Sequence, residues 1–241
     1  MRASSAPRPL AHPPQPIPAP RPVRYWLTAG TGHVGVTPAG CTPRFYVLIF
    51  GGLPGLSDDP MVDGISEVTV RESVVPLKAP FFAEMKSNNY LPNVLIAMSA
   101  QDRGGRLGIA IDDQGHVRES CVLNVICVDA EGVLRTPPFV RVLKGTTVRR
   151  SLELARSRLL GGGGGAGLLS RVVQEEVPEA TLRSSRELIL VAGDTHLYPI
   201  VSLDGAPIGD GKVGPVAKAL FEMIMDDAAN GLESEGNHIP L

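Results

Sequence analysis

Met85-Lys86-Ser87-Asn88-Asn89-Tyr90-Leu91-Pro92-Asn93-Val94-Leu95 sets one lysine in a polar loop and follows it with a tyrosine and a proline. Proline at the start of a helix costs nothing, because its missing N–H would have no partner there in any case. Val94, Leu95 and Met98 continue the helix, which the Gly104-Gly105 pair stops. Lys86 therefore stands just ahead of a packed element, where an amine can be partly desolvated. Desolvation disfavours the ammonium and frees the neutral amine for Schiff-base chemistry. A solvated surface lysine is the ordinary alternative, and only residues further along the chain weigh against it.

Working outward, the composition sets few limits. Of 241 residues, 43% are hydrophobic and 20% charged, which suits a globular protein with a sizeable core, in one large domain or two small ones. The formal net charge of −2 gives no footprint for nucleic acid or an anionic membrane surface. No apolar run approaches the ~18 residues that span a bilayer. Cys41, Cys121 and Cys127 form no CxxC, so neither a disulfide framework nor a zinc site is expected, and a reducing compartment is the default. The histidines are scattered without metal-ligand spacing, and no metal is expected.

In chain order, residues 1–23 are Pro-rich, carry arginines and lack any acid. This composition predicts a disordered or polyproline-like segment. Targeting peptides are also basic and acid-poor, but the prolines break any amphipathic helix and serine is scarce. Tyr25-Trp26-Leu27 and Phe45 to Phe50 read as strands, with glycines between them and a Gly/Pro/Asp loop from Gly51 to Gly64. A third strand is expected over Ser66–Val75. Gly108–Ile111 and His116–Glu119 read as a hairpin across Asp112-Asp113-Gln114-Gly115, followed by an apolar strand over Val122–Val128 and another at Val133-Leu134. Leu152, Ala155 and Leu159 recur at helical spacing, predicting an amphipathic helix over Val148–Leu160 that Thr146 or Thr147 can cap. The glycine run Gly161–Gly165 is a linker without a phosphate-loop lysine. Beyond it the pattern predicts a strand (Arg171–Val177), a short helix (Pro178–Ser185), strands at Glu187–Val191 and Leu197–Leu203, a helix from Val216 to about Ala229, and a loose tail. Strands and helices mix without regular βαβ alternation, so the fold class is α+β.

Each chemical motif is weak by itself. Glu119, an acid within a strand, is more often an outward-facing carboxylate. Gly145-Thr146-Thr147 at a helix start is often only a cap; equally, the unpaired N–H groups and the helix dipole there make a phosphate site. Together, an amine, a carboxylate and a helix-terminal phosphate site meet the requirements of pyridoxal 5′-phosphate. The lysine forms the Schiff base, the carboxylate keeps the pyridine nitrogen protonated, and backbone N–H groups hold the phosphate.

These blocks resemble the class IV aminotransferases, the fold-type IV pyridoxal-phosphate enzymes that include branched-chain and D-amino acid transaminases and aminodeoxychorismate lyase. The family's lysine ahead of an Asn-Tyr-Leu helix start matches Lys86 to Leu91. Its acid, small residue and Asn-containing strand match Glu119 to Val125. Its Leu-x-Gly-x-Thr-x-x-Arg matches Leu143 to Arg150, and its closing Asp-Gly, Ile-Gly-Asp-Gly-Lys and Gly-Pro match Asp204 to Pro215. Order and spacing agree over roughly residues 66–230, and Tyr25 to Gly40 look most like a plant-type plastidic subgroup. The resemblance implies a barrel-like mixed sheet with flanking helices over residues 66–230. It makes residues 24–65 a remnant of a small N-terminal domain, residues 1–23 a disordered segment and residues 231–241 a tail. It implies a transaminase acting on an amino acid, branched-chain or D, and a 2-oxo acid, in a homodimer, located in the plastid or the cytoplasm. A lyase on aminodeoxychorismate would use the same cofactor residues, and a truncated, catalytically impaired cofactor-binding remnant is the third reading. Lys86 becomes the Schiff-base lysine and proton carrier. Glu119 pairs with the pyridine nitrogen, Thr146 and Thr147 bind phosphate, and Tyr90 and Asn124 complete the cofactor contacts.

Two departures stand out. Where relatives place a phosphate-binding Thr or Ser between the last two core strands, this chain has Gly193-Asp194-Thr195, leaving Thr195 as the substitute hydroxyl. Most of the small domain, which supplies a phosphate-binding arginine and part of the substrate pocket, has no counterpart in the sequence.

Overall fold

The computed structural model describes residues 23–33, 35–49, 59–161, 167–193 and 196–234. The expectations for residues 1–22, for Phe50 and loop residues 51–58, for residues 162–166 of the glycine run, for Asp194 and Thr195, and for residues 235–241 of the tail lie outside the described residues. The chain forms two units, residues 1–55 and 56–241.

The first unit is a two-stranded antiparallel sheet of β1 (Val23–Thr31) and β2 (Thr42–Ile49). Val23 faces Ile49, Tyr25 faces Val47 and Leu27 faces Phe45 across the ladder. The period of two puts these six apolar side chains on one face, where all six are exposed.

The second unit opens with α1 (Pro60–Asp63), β3 (Ile65–Glu67) and β4 (Thr69–Arg71). The single strand expected over Ser66–Val75 is thus two short strands and a turn. They lie in different sheets, and Val68 carries the chain between them. Glu67 stands at this break, where its buried carboxylate accepts from the N–H groups of Arg106, Leu107 and Gly108. Next come α2 (Pro80–Ala83), which has no periodic signature in the sequence, and α3 (Leu91–Gln101), with proline in its first turn as expected.

β5 (Ile109–Ile111) and β6 (Val117–Ser120) form the expected hairpin and join β4 in a three-stranded sheet. The larger sheet is built from β7 (Asn124–Val128), β8 (Val133–Thr136), β9 (Arg171–Gln174), β10 (Glu187–Val191), β11 (Leu197–Leu203) and β12 (Ala206–Pro207). Its order is β12-β11-β10-β7-β8-β9, and β3 lies parallel to β11. The chain crosses between sheets at Val68 and again at residues 121–123, giving a barrel-like pair of mixed sheets. Three helices complete the unit: α4 (Thr146–Arg158), α5 (Glu179–Arg183) and α6 (Pro215–Ser234). α5 is shorter than expected, and α6 runs past Ala229.

β7 and β10 are buried on both faces, which is why they read as unbroken apolar runs. Val125, Cys127, Leu188 and Leu190 pack toward the small sheet. Ile126, Val128, Ile189 and Val191 pack under α4 and α6, against Leu152, Ala155, Val216 and Leu220. Each large aliphatic side chain buried in this way contributes roughly 1.5–3 kcal/mol before entropy is set against it. A third cluster packs α3 on the small sheet through Ile96, Ala100, Val70 and Ala110. Both sheets are therefore held rigidly where β6 passes into β7.

Candidate active site

Lys86 follows α2 on a loop of two tight turns, with Ser87 N–H bonded to the Met85 carbonyl and Tyr90 N–H to that of Asn88. Tyr90 is the N-cap of α3 and lies one turn from Lys86. The Lys86 Nζ donates to the Tyr90 hydroxyl at 3.3 Å. The amine is exposed, so the desolvation expected ahead of α3 is absent. α3 buries its Asn93, Ile96 and Ala100 face.

Glu119 reaches the same place from β6. With Lys86, Tyr90, Lys78 and Asn93 it lines one cavity of about 20 Å³, which adjoins a larger one of about 410 Å³ through Lys78, Ala83, Asn93 and Glu119. The acid is half-buried rather than outward-facing. Burial pushes its carboxyl up to about 7, while the Leu143 N–H and the Lys78 and Lys86 ammonium groups pull the other way.

The Leu143 peptide joins the acid to the helix tip. Its N–H donates to Glu119 Oε2 at 3.0 Å, and its carbonyl accepts from Asn124 Nδ2 at 2.9 Å. Two residues on, Gly145 is the N-cap of α4, and among the described residues no side chain makes the cap hydrogen bond. The threonine cap expected from the sequence is therefore not made: Thr146 and Thr147 are the first helical residues and follow the cap position. Glycine is required at 145, since a Cβ there would lie 2.1 Å from Asn124 Oδ1. Lys86, Tyr90 and Glu119 thus share a cavity, and Asn124 with Leu143 ties Glu119 to the Thr146 end of α4. Thr195 lies outside the described residues.

Sequence reasoning missed Lys78, Asn93 and the Leu143 backbone. Asn93 donates to the Cys121 carbonyl, holding α3 against the β6–β7 turn. A peptide group leaves no sequence signal, and Lys78 looks like any loop lysine. The closing motif, by contrast, serves the scaffold. Asp204 sits at φ 49° and accepts from the Thr69 N–H and hydroxyl and from Arg183. Gly214 clears room for the Glu187 carboxylate, which would meet a Cβ at 2.1 Å. Burial pushes the Cys121 and Cys127 thiols up to about 11, so neither is a nucleophile near neutrality. Among the described residues no three metal-ligating side chains gather.

The family model of amino-transferase class IV matches residues 12–203. The chain belongs to this family. This class IV chain is 34% identical over 211 residues to the chloroplastic D-amino-acid transaminase of Arabidopsis thaliana, a match covering 87% of this chain and 53% of the relative. It thus spans about half the length of that curated relative. The branched-chain amino acid aminotransferase of Escherichia coli superposes with a TM-score of 0.71 at 27% identity, covering 88% of this chain and 65% of that one. The branched-chain aminotransferase of the thermophilic archaeon Thermoproteus uzoniensis, solved with norvaline, superposes with a TM-score of 0.72 at 19% identity, over 88% and 66% of the two chains. Another branched-chain amino acid aminotransferase of this fold is solved with pyridoxamine 5′-phosphate. The class IV fold accounts for the α+β architecture and for the two sheets with their flanking helices.

Proposed function

We propose that this chain is a pyridoxal 5′-phosphate-dependent transaminase, moving an amino group between a branched-chain or D-amino acid and a 2-oxo acid. The observation that carries the reading is the shared cavity of Lys86, Tyr90 and Glu119: a primary amine, a phenol and a carboxyl of raised pKa face one space. The donor set fits the cofactor. Lys86 Nζ would be the nucleophile for its aldehyde, Glu119 would partner its pyridine nitrogen, and the Thr146 and Thr147 end of α4 would hold its phosphate with the positive end of the dipole. Thr195 is the second hydroxyl proposed for the phosphate. The space of about 20 Å³ is small for a pyridine ring by itself and adjoins the larger cavity of about 410 Å³.

When bound, pyridoxal phosphate supplies an electron sink for the carbanion formed at the substrate Cα. The protein does the rest. Lys86 Nζ would carry the proton that leaves the substrate Cα. The Tyr90 hydroxyl orients that amine through their hydrogen bond. Asn124 holds the Leu143 carbonyl, so Glu119 and the α4 tip keep their spacing.

Two further parts of the proposal have separate support. A homodimer fits the exposed stripe Leu91, Val94, Leu95 and Met98 on α3, with Phe81, Phe82 and Met85 exposed beside Lys86, a patch of the kind that marks an interface. A plastid location fits the chloroplastic relative and the basic, acid-poor residues 1–22. In the described residues no helix is long and apolar enough to cross a membrane.

The test is direct. Purified chain mixed with pyridoxal phosphate should turn yellow, and Lys86→Ala should stay colourless with an unchanged thermal transition. Amino transfer from D- or branched-chain amino acids should then exceed pyruvate release from aminodeoxychorismate. A wild type that remains colourless overturns the reading.

A further inference from the structure

No motif marks Lys78, yet it lines both the cavity of Lys86 and the larger cavity beside it, and Glu119 belongs to both linings. Its Nζ lies 5.5 Å from the centroid of the Tyr90 ring, and the Lys86 Nζ lies 5.9 Å from the same ring. Two ammonium groups and one carboxyl therefore gather around a single phenol. The Glu119 carboxyl accepts one hydrogen bond, from Leu143 N–H to Oε2; among the described residues its Oε1 accepts none. A half-buried acid with so little compensation tends to keep its proton. A protonated carboxyl cannot hold a pyridine nitrogen in its protonated form.

The remaining charged groups around the larger cavity do not relieve this. Arg118 is committed to Asp112 and, at 2.7 Å, to Glu176. Arg141 lies 3.6 Å from Asp112. Glu72 and Asp113 are acids, and Glu72 already accepts the Asp113 N–H. On the other side, Cys121 is neutral at ordinary pH. The cations left facing Glu119 are Lys78 and Lys86, and covalent attachment of the cofactor would occupy the Lys86 amine.

We propose that Lys78 is a positioning residue of this site: its ammonium, lining the same cavities, favours the charged Glu119 carboxylate that a pyridine nitrogen needs. The inference rests on the roles given to Lys86 and Glu119 in the proposed function. It also gives a role to a lysine that lines both cavities together with the acid.

The experiment reads Glu119 in the 241-residue chain without cofactor. Carbon NMR on glutamate-labelled protein, with Glu119→Gln as the assignment control, follows the carboxyl through a pH titration. In Lys78→Met the midpoint should rise by about half a pH unit or more, and Lys78→Arg should hold it near wild type. Lys78→Gln serves as the second neutral variant should Lys78→Met fold poorly by circular dichroism. An unmoved midpoint in the neutral variants, or a rise in Lys78→Arg equal to theirs, overturns the assignment. The titration needs no cofactor, so it fails separately from the colour test: a colourless wild type sinks the transaminase reading, and an unmoved midpoint in a yellow protein sinks only the role of Lys78.

Discussion

Glu119 makes a contribution to stability that depends on pH in a definite direction. Its carboxyl titrates at about 7 in the fold, against 4.5 for an ordinary glutamate. Between those values the folded chain holds a proton that the unfolded chain has released, so the contribution of Glu119 to stability is fullest below about 4.5 and declines as pH rises toward 7. The half-buried setting limits the change to on the order of 2 kcal/mol. Glu119→Gln should flatten that decline, measured as urea midpoints from pH 4.5 to 7.5; a variant with the wild-type slope would refute it. Lys86 shows the other side of reasoning at this scale. The sequence placed it ahead of a helix and suggested a desolvated amine, but the coordinates leave it exposed and bonded to Tyr90. Burial of one residue depends on what covers it, and its neighbours in sequence do not state that.

At the scale of elements, buried carboxylates do the joining. Glu187, 5% exposed in β10, accepts from the Val216 and Ala217 N–H groups at 3.0 and 2.9 Å and so caps α6 from a neighbouring strand. Glu187→Ala should cost about 2–3 kcal/mol in chemical denaturation, since two buried donors lose their acceptor. A loss below about 0.5 kcal/mol would mean that water replaces the cap. Gly145 governs the other helix tip. Gly145→Ala drives a methyl into Asn124 Oδ1, loosening the clamp on Leu143 and with it the α4 start. Cofactor affinity, followed by absorbance titration, should fall at least tenfold, or about 1.4 kcal/mol, while the helical circular dichroism signal stays near wild type. Affinity that survives the substitution would separate the α4 tip from the phosphate site.

Taken whole, the molecule keeps its core in one unit. All three buried clusters lie between Ile65 and Ile224, whereas the β1–β2 sheet exposes a complete apolar face. Two strands alone are marginal in water. A chain beginning at Leu56 should therefore retain its cooperative thermal transition, read by calorimetry; loss of that transition would show that the hairpin is integral to the core. The sequence by itself determined the order of elements from β5 onward, because fully buried strands such as β7 and β10 are unbroken apolar runs and α4 carries a helical repeat. It also determined which residue types stand at Lys86, Glu119, Asn124 and Gly145, since turn, cap and strand signals are local. Only the tertiary structure decided that Lys86 and Glu119 open on one cavity, that the segment at Ser66–Val75 divides between two sheets, and that the Leu143 peptide and Lys78 belong to the site. Those outcomes depend on which edges pair and which groups are left without water, and such energies arise between segments far apart in the chain.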